Sequence, residues 1–254
     1  MEVHHHAHTS RKRWTHYFWE FLMLFLAVFC GFLAEYQLEH KIERDRVKEY
    51  AAQMVEGLKK DTAQLNYVIG FNQDKFKRFD SLSIILGYPE NSRELWNGLY
   101  RHVHILFQRR RYNPTTSIFD QVNNTGALRY FKNRELVSKI LDYKSRMDLI
   151  MQQDEGEKEV VIGRIEPFII RHFMLNRLIQ RHDSYIATPG WDSTKIGQAP
   201  ITGFFNAEPG TMLEFQNHVI NAKGAAQLPA NNKVSQLKRA EALILLLQKE
   251  YHLR

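Results

Sequence analysis

Arg109, Arg110 and Arg111 stand beside Tyr112 near the middle of the chain. Guanidinium forks of this kind hold phosphate and carboxylate oxygens in pairs, so the triplet is a candidate anion or partner contact. A second reading fits the same residues: three positive charges closing a helix C-terminus, where they complement the dipole. Histidines are the next chemistry-bearing group. His102 and His104 would point to opposite sides of one helix, a poor metal pair without further ligands. The tail cluster His4-His5-His6 with His8 has only weak, unselective affinity for divalent ions. His172, His182 and His218 are isolated. The single cysteine, Cys30, lies in an apolar run, so a disulfide, a cysteine metal site and thiol catalysis are not expected. No phosphate loop, dinucleotide fingerprint, nucleophile elbow or paired-histidine zinc helix occurs. A Ser-His-Asp set would need assembly from distant helices. The expectation leans away from an enzyme, with no catalytic residue, no cofactor and no metal.

What positions these residues begins at the N-terminus. Trp14 to Leu38 reads WTHYFWEFLMLFLAVFCGFLAEYQL, which matches the roughly 20 apolar residues a helix needs to cross about 30 Å of hydrocarbon. A cleaved signal peptide would have a shorter apolar region and a small-residue cleavage site, whereas here a charged helical pattern follows without a break. An uncleaved signal-anchor over 14–38 is the better reading. Trp14, Tyr17 and Trp19 at one end and Tyr36 at the other suit the aromatic belts of the two interfaces. Arg11, Lys12 and Arg13 precede the run, while residues 35–46 carry four acids against three bases. The positive-inside rule then places residues 1–13 as a cytoplasmic tail and 39–254 outside, on the periplasmic side of the inner membrane. Glu20 lies inside the span, about two turns from Arg13. It either reaches back to the head groups or makes an intramembrane contact with a second helix.

The net charge of +7, with histidine neutral, suits anionic partners such as phospholipid head groups or cell-wall polymers, but an ordinary solvated surface is the better reading; nucleic acid is not an expected partner for a domain outside the cytoplasm. Only 13 Gly and 7 Pro are present, few for a β-rich chain. Val47, Ala51, Met54, Leu58, Leu65 and Val68 form one apolar stripe, and Asp61 falls on it. The spacing predicts that the membrane helix continues as a stalk helix to about Phe71. A helix over 92–108 follows an Asn91-Ser92 cap, and a short one follows Pro114-Thr115-Thr116 and ends at Asn124-Thr125-Gly126. Asn133 caps the next, where Leu136, Ile140, Tyr143, Met147 and Ile150 step by heptad spacing, a coiled-coil-like signal. The acidic run 154–159 is expected to interrupt it, and Pro167 to kink or restart the helix that resumes beyond. Residues 183–210 hold three Pro and four Gly, which exclude a regular helix. Tyr185, Trp191, Phe204 and Phe205 suggest that this loop packs down as an ordered flap. Helices over 211–222 and 232–253 close the chain. The fold class is all-α: a transmembrane helix, a stalk and an extracytoplasmic helical bundle.

The segment Asn113 to Tyr143 carries Thr115-Thr116-Ser117, Phe119 to Val122, Thr125-Gly126, Leu128, Asn133, Glu135-Leu136 and Tyr143 in that order. This arrangement resembles a large bacterial family of uncharacterised single-pass membrane proteins. Glu20, the stretch with Tyr50, Leu58, Asp61 and Leu65, and Glu214-Phe215-Gln216-Asn217 are similar as well. The chain departs from the family in lacking a Trp shortly after the membrane helix and in having Gly57 where an acidic residue is common. The resemblance implies the single-pass topology and an α-helical extracytoplasmic domain; it brings no reaction, ligand or catalytic residue. Within the shared segment, Phe119, Leu128 and Tyr143 are expected to pack. Thr116 is expected to cap a helix and Gly126 to supply a positive φ, making a structural motif rather than a ligand site. Two functions fit: an anchored scaffold or interaction protein that contacts another envelope protein or itself, or a ligand-binding sensor or small enzyme with a pocket under the 183–210 flap near Arg109 to Arg111.

Overall fold

The computed structural model describes residues 14–175 and 201–253. The tail residues 1–13, with the histidine cluster and Arg11 to Arg13, and the loop residues Tyr185 and Trp191 lie outside the described residues. The chain forms two units, Met1–Tyr50 and Ala51–Arg254. All regular structure among the described residues is helical.

Helix α1 extends over Trp14–Ile85. Over residues 14–42 nearly all of its apolar side chains are exposed, with none buried among the described residues. The most apolar 18-residue window has a mean hydropathy of 2.0 and is 0% buried. Phe21, Phe25 and Phe29 stack along one face at centroid separations of 6.3 and 5.9 Å. This i, i+4 spacing brings side chains together on a helix surface.

In the second unit the stripe behaves as expected: Ala51, Met54, Leu58, Leu65 and Val68 are buried, and so is Asp61. The helix does not stop near Phe71. Lys75, Phe79 and Leu82 continue the same buried face, and continued burial carries the helix through Gly70 to a turn at Gly87 and Pro89. Helix α2 is Arg93–His102, with the Ser92 hydroxyl accepting from the Leu95 amide at 3.1 Å, and tightens into a 3-10 turn over Val103–Leu106. Helix α3 is Ser117–Asn124. A 3-10 turn, Ala127–Tyr130, follows Gly126, whose φ of 66° is the positive value expected there.

Helix α4 runs unbroken over Arg134–Val160, begun by the Asn133 side chain accepting from the Leu136 amide. The acidic run 154–159 does not interrupt it. Glu and Lys are good helix formers, a single interior glycine costs only about 1 kcal/mol, and the run closes its own Glu155–Lys158 pair at 2.7 Å. A π-helical segment, Val161–Ile165, leads without a break into α5, Glu166–His172, and the wider turn lies where Pro167 has no amide hydrogen to give. Helix α6 is a single helix, Thr211–Tyr251, rather than two. Pro229 removes one hydrogen bond at about 3 kcal/mol. The buried face Val219, Ala222, Ala226, Ala230 and Lys233 passes straight through it and offsets that loss. Helices α4 and α6 share the largest helix–helix contact.

Residues 201–210 are irregular. Phe204 turns inward, 4.9 Å from Trp96 and 5.2 Å from Phe173 between ring centroids. Phe168 stacks on Phe215 at 5.8 Å, completing an aromatic cluster with Phe79, Leu95 and Ile165. Phe205 is exposed.

Candidate functional site

The buried polar groups of the second unit gather where an irregular strip, residues 109–116, crosses α1 and α4. A non-helical strip in a helical core has amide donors that no helix satisfies, and each must find an acceptor. Here side chains supply them. The Tyr112 amide donates to Asp154 Oδ2 at 3.2 Å, the Asn113 amide to Gln64 Oε1 at 3.2 Å and the Thr115 amide to Asp61 Oδ1 at 2.8 Å. Asp61 also accepts from the Tyr143 hydroxyl at 2.8 Å, and that hydroxyl lies 3.2 Å from the hydroxyl of Tyr112. Lys233 of α6 closes on the second oxygen of Asp154 in a buried ion pair. Gln236, one turn later, donates to the Tyr143 carbonyl at 3.0 Å. Lys75 of α1 meets Glu157 of α4 at 2.7 Å, with the lysine almost wholly buried. Asp61, Asp154, Gln236, Lys75 and Lys233 thus tie α1, α4, α6 and the strip together.

The ionisation states follow from this burial. Burial pushes the Tyr143 phenol well above its ordinary range, with Tyr112 and the Asp61 carboxylate adding to the effect. Burial raises Tyr112 too, its bond to Tyr143 opposes this in part, and Asp61 raises it further. Both phenols stay protonated and serve as donors. Burial lowers Lys75; Glu157 opposes this, and the neighbouring charges of Arg109 and Lys233 add to the lowering. The chemistry available is that of a buried network in which hydroxyl, ammonium and amide donors face two shared carboxylates, with Gln236 Oε1 left without a partner among the described residues. Its members bind one another, which fixes helix register.

The three arginines singled out by sequence are brought to this strip but not to a common point. Arg109 donates to the Asp154 carbonyl at 3.1 Å. Arg110 lies 4.9 Å from the Phe71 ring centre and donates to the Tyr67 hydroxyl at 3.3 Å. Arg111 pairs with Glu155 at 3.4 Å. Phe204 of the 183–210 loop belongs to the aromatic cluster. Glu20 has an in-helix partner, His16, at 3.1 Å. Phe119 packs on Tyr143 at 5.3 Å, and Leu128 joins Phe119 in lining an open groove of about 380 Å³ where Lys144 bridges Asp120 and Asp148. Thr116 occupies the N-cap position of α3, but its hydroxyl makes no capping bond there; its carbonyl accepts from Asp120 instead. Gly57 has a steric reason to be small: a Cβ there would come within 3.2 Å of the Thr115 methyl.

Lys75, Asp154, Glu157, Lys233 and Gln236 were not singled out by sequence reasoning. A signal existed for one of them. Asp154 continues the stepping from Tyr143 through Met147 and Ile150 by one more interval of four, which places it on the buried face. Lys233 and Gln236 fall between Ala230 and Ala240 on the inward face of α6, a pattern masked by the surrounding polar residues.

No family model, no curated protein and no solved structure matches this chain.

Proposed function

We propose that this protein is a membrane-anchored interaction or scaffold protein of the bacterial cell envelope. Residues 14–38 span the inner membrane, the N-terminus is cytoplasmic and the helical unit is periplasmic. The observation that carries the anchor is the uncovered apolar helix in the first unit, whereas the second unit closes its own core. Exposed side chains such as Phe21, Phe25 and Phe32 in water would form an apolar surface that soluble monomers rarely tolerate. The resemblance to single-pass membrane proteins and the charge bias across the helix support the same topology. An interaction role draws support from Leu213, Ile220 and Leu228, which leave an apolar face of α6 uncovered.

Carbonate extraction of membranes, with reporters fused after Arg254, tests the anchor. Retention in the pellet and activity of a periplasm-dependent reporter are expected; release into the supernatant, or activity of a cytosol-dependent reporter alone, would refute it. Crosslinking in intact membranes tests the interaction role. A discrete adduct is expected, and its loss in Ile220→Glu would assign the face. A protein that stays monomeric and captures nothing would remove that role.

A further inference from the structure

Away from the buried network, Arg93 and Arg101 share one face of α2, with Glu94, Gly98 and His102 alongside. These residues and Ile85, at the end of α1, line an open cleft of about 490 Å³. Gly98 allows the close approach that forms it: a Cβ there would sit 2.9 Å from Ile85 Cγ2. Arg78 reaches the same neighbourhood, since burial, then Arg78, then Arg101 hold the His102 imidazole below its ordinary pKa. Unlike Arg109 to Arg111, the guanidiniums of Arg78, Arg93 and Arg101 make no hydrogen bond or ion pair with other described residues. Nδ1 of His102 is buried and has no hydrogen-bond partner among the described residues. A buried polar atom left in this state is destabilising, and because it is closed to solvent the imidazole must turn toward the cleft before a ligand oxygen can pair with it.

We propose that this cleft binds a phosphate monoester of small-molecule size, held by Arg93 and Arg101, with His102 contributing a hydrogen bond through Nδ1. Charge decides between oxyanions. Three guanidiniums against the one carboxylate of Glu94 leave an excess of two positive charges. A phosphate monoester carries about −1.5 to −2 at neutral pH, whereas a single carboxylate would leave half of that excess unmatched. Size points away from bare phosphate, because the cleft falls within the roughly 300–1,000 Å³ of small-molecule sites. Arginine suits the task through its paired donors, and Arg78 adds attraction at longer range.

Calorimetric titration of the full chain in detergent with glycerol phosphate tests the assignment. Saturable binding is expected, weakened by added salt. The double variant Arg93→Ala/Arg101→Ala should lose affinity by about tenfold or more, and His102→Gln by a smaller factor. Arg93→Lys/Arg101→Lys keeps the charge and guards against a folding defect; it should fall between the two, because the fork is lost. Arg134→Ala, an exposed arginine on α4, should bind as the parent does. No saturable binding of glycerol phosphate, equal affinity in the double alanine variant, or equally tight binding of glycerate would each overturn the proposal.

Discussion

The aromatic cluster around Phe168 and Phe215 and the ionic layer around Asp154 and Lys233 lie in the same helical unit, yet they hold it by opposite means. The cluster gains from burial without strict direction, so neighbours can shift to fill a small defect. The layer gains little net energy from its charges, which lose hydration when buried, but any one partner removed leaves another charge stranded. One region therefore tolerates approximate fit and supplies bulk stability. The other specifies which faces of α1, α4 and α6 meet, and at what register. The difference teaches where a conservative-looking change will do most harm.

Removing Lys233 should break the comparison hardest. Lys233→Met strands Asp154, and a loss of about 3–5 kcal/mol is expected from urea unfolding of the whole chain in detergent. Adding Asp154→Leu should recover part of it; a strictly additive double variant would show that the pair is not coupled. Tyr143→Phe ranks next, since it leaves one oxygen of Asp61 without its donor. A loss of about 1–3 kcal/mol is expected.

The same variant sharpens the contrast through pH. Tyr112 and Tyr143 have folded pKa values raised above their ordinary value of 10.0, and Tyr251 is pushed up to about 12, chiefly by burial. Each is protonated when folded while its unfolded form ionises, so their contribution is fully present below about pH 10 and declines above it. Lys75 works the other way, because its folded pKa is lowered and its contribution grows as pH rises toward 10.5. Lys144, whose folded pKa is raised, acts in the same sense as the tyrosines, so four groups oppose one. Stability should fall above about pH 10, and Tyr143→Phe should flatten that fall. A slope unchanged in Tyr143→Phe would show that this phenol is not held protonated. By contrast, Ile165→Val in the apolar cluster should cost about 0.5–1.5 kcal/mol with no change in pH profile. Smallest of all, Glu56→Gln removes an exposed pair with Lys60 and should leave the unfolding midpoint unmoved.

Much of the helical architecture was legible because apolar spacing reports burial directly. The stripe Val47 to Val68, the heptad steps Leu136 to Ile150 and the Asn133 cap all lie where the pattern puts them. The boundaries were harder. The acidic run at 154–159 reads as a solvated break, but Asp154 and Glu157 find lysines from α6 and α1, and those partners are 79 and 82 residues away in sequence. Residues 223–231 read as a gap between two helices, yet packing against α4 outweighs the one bond lost at Pro229. The arginine triplet was visible as chemistry, but its engagement with Tyr67, Phe71, Asp154 and Glu155 depends on where the strip crosses two helices. The α2 cleft was hidden for the same reason. Arg93 and Arg101 look like ordinary surface charge until Gly98 lets Ile85 close in beneath them.

Pro229 also divides α6 in a way its unbroken outline conceals. Without an amide hydrogen of its own, it leaves the carbonyl of Ala225 with no main-chain donor at the usual place. The ladder is thereby cut into an upper and a lower run, each able to fray on its own timescale. Deuterium uptake along residues 211–251 should register two cooperative blocks with different protection, the seam lying a turn before the buried lysine.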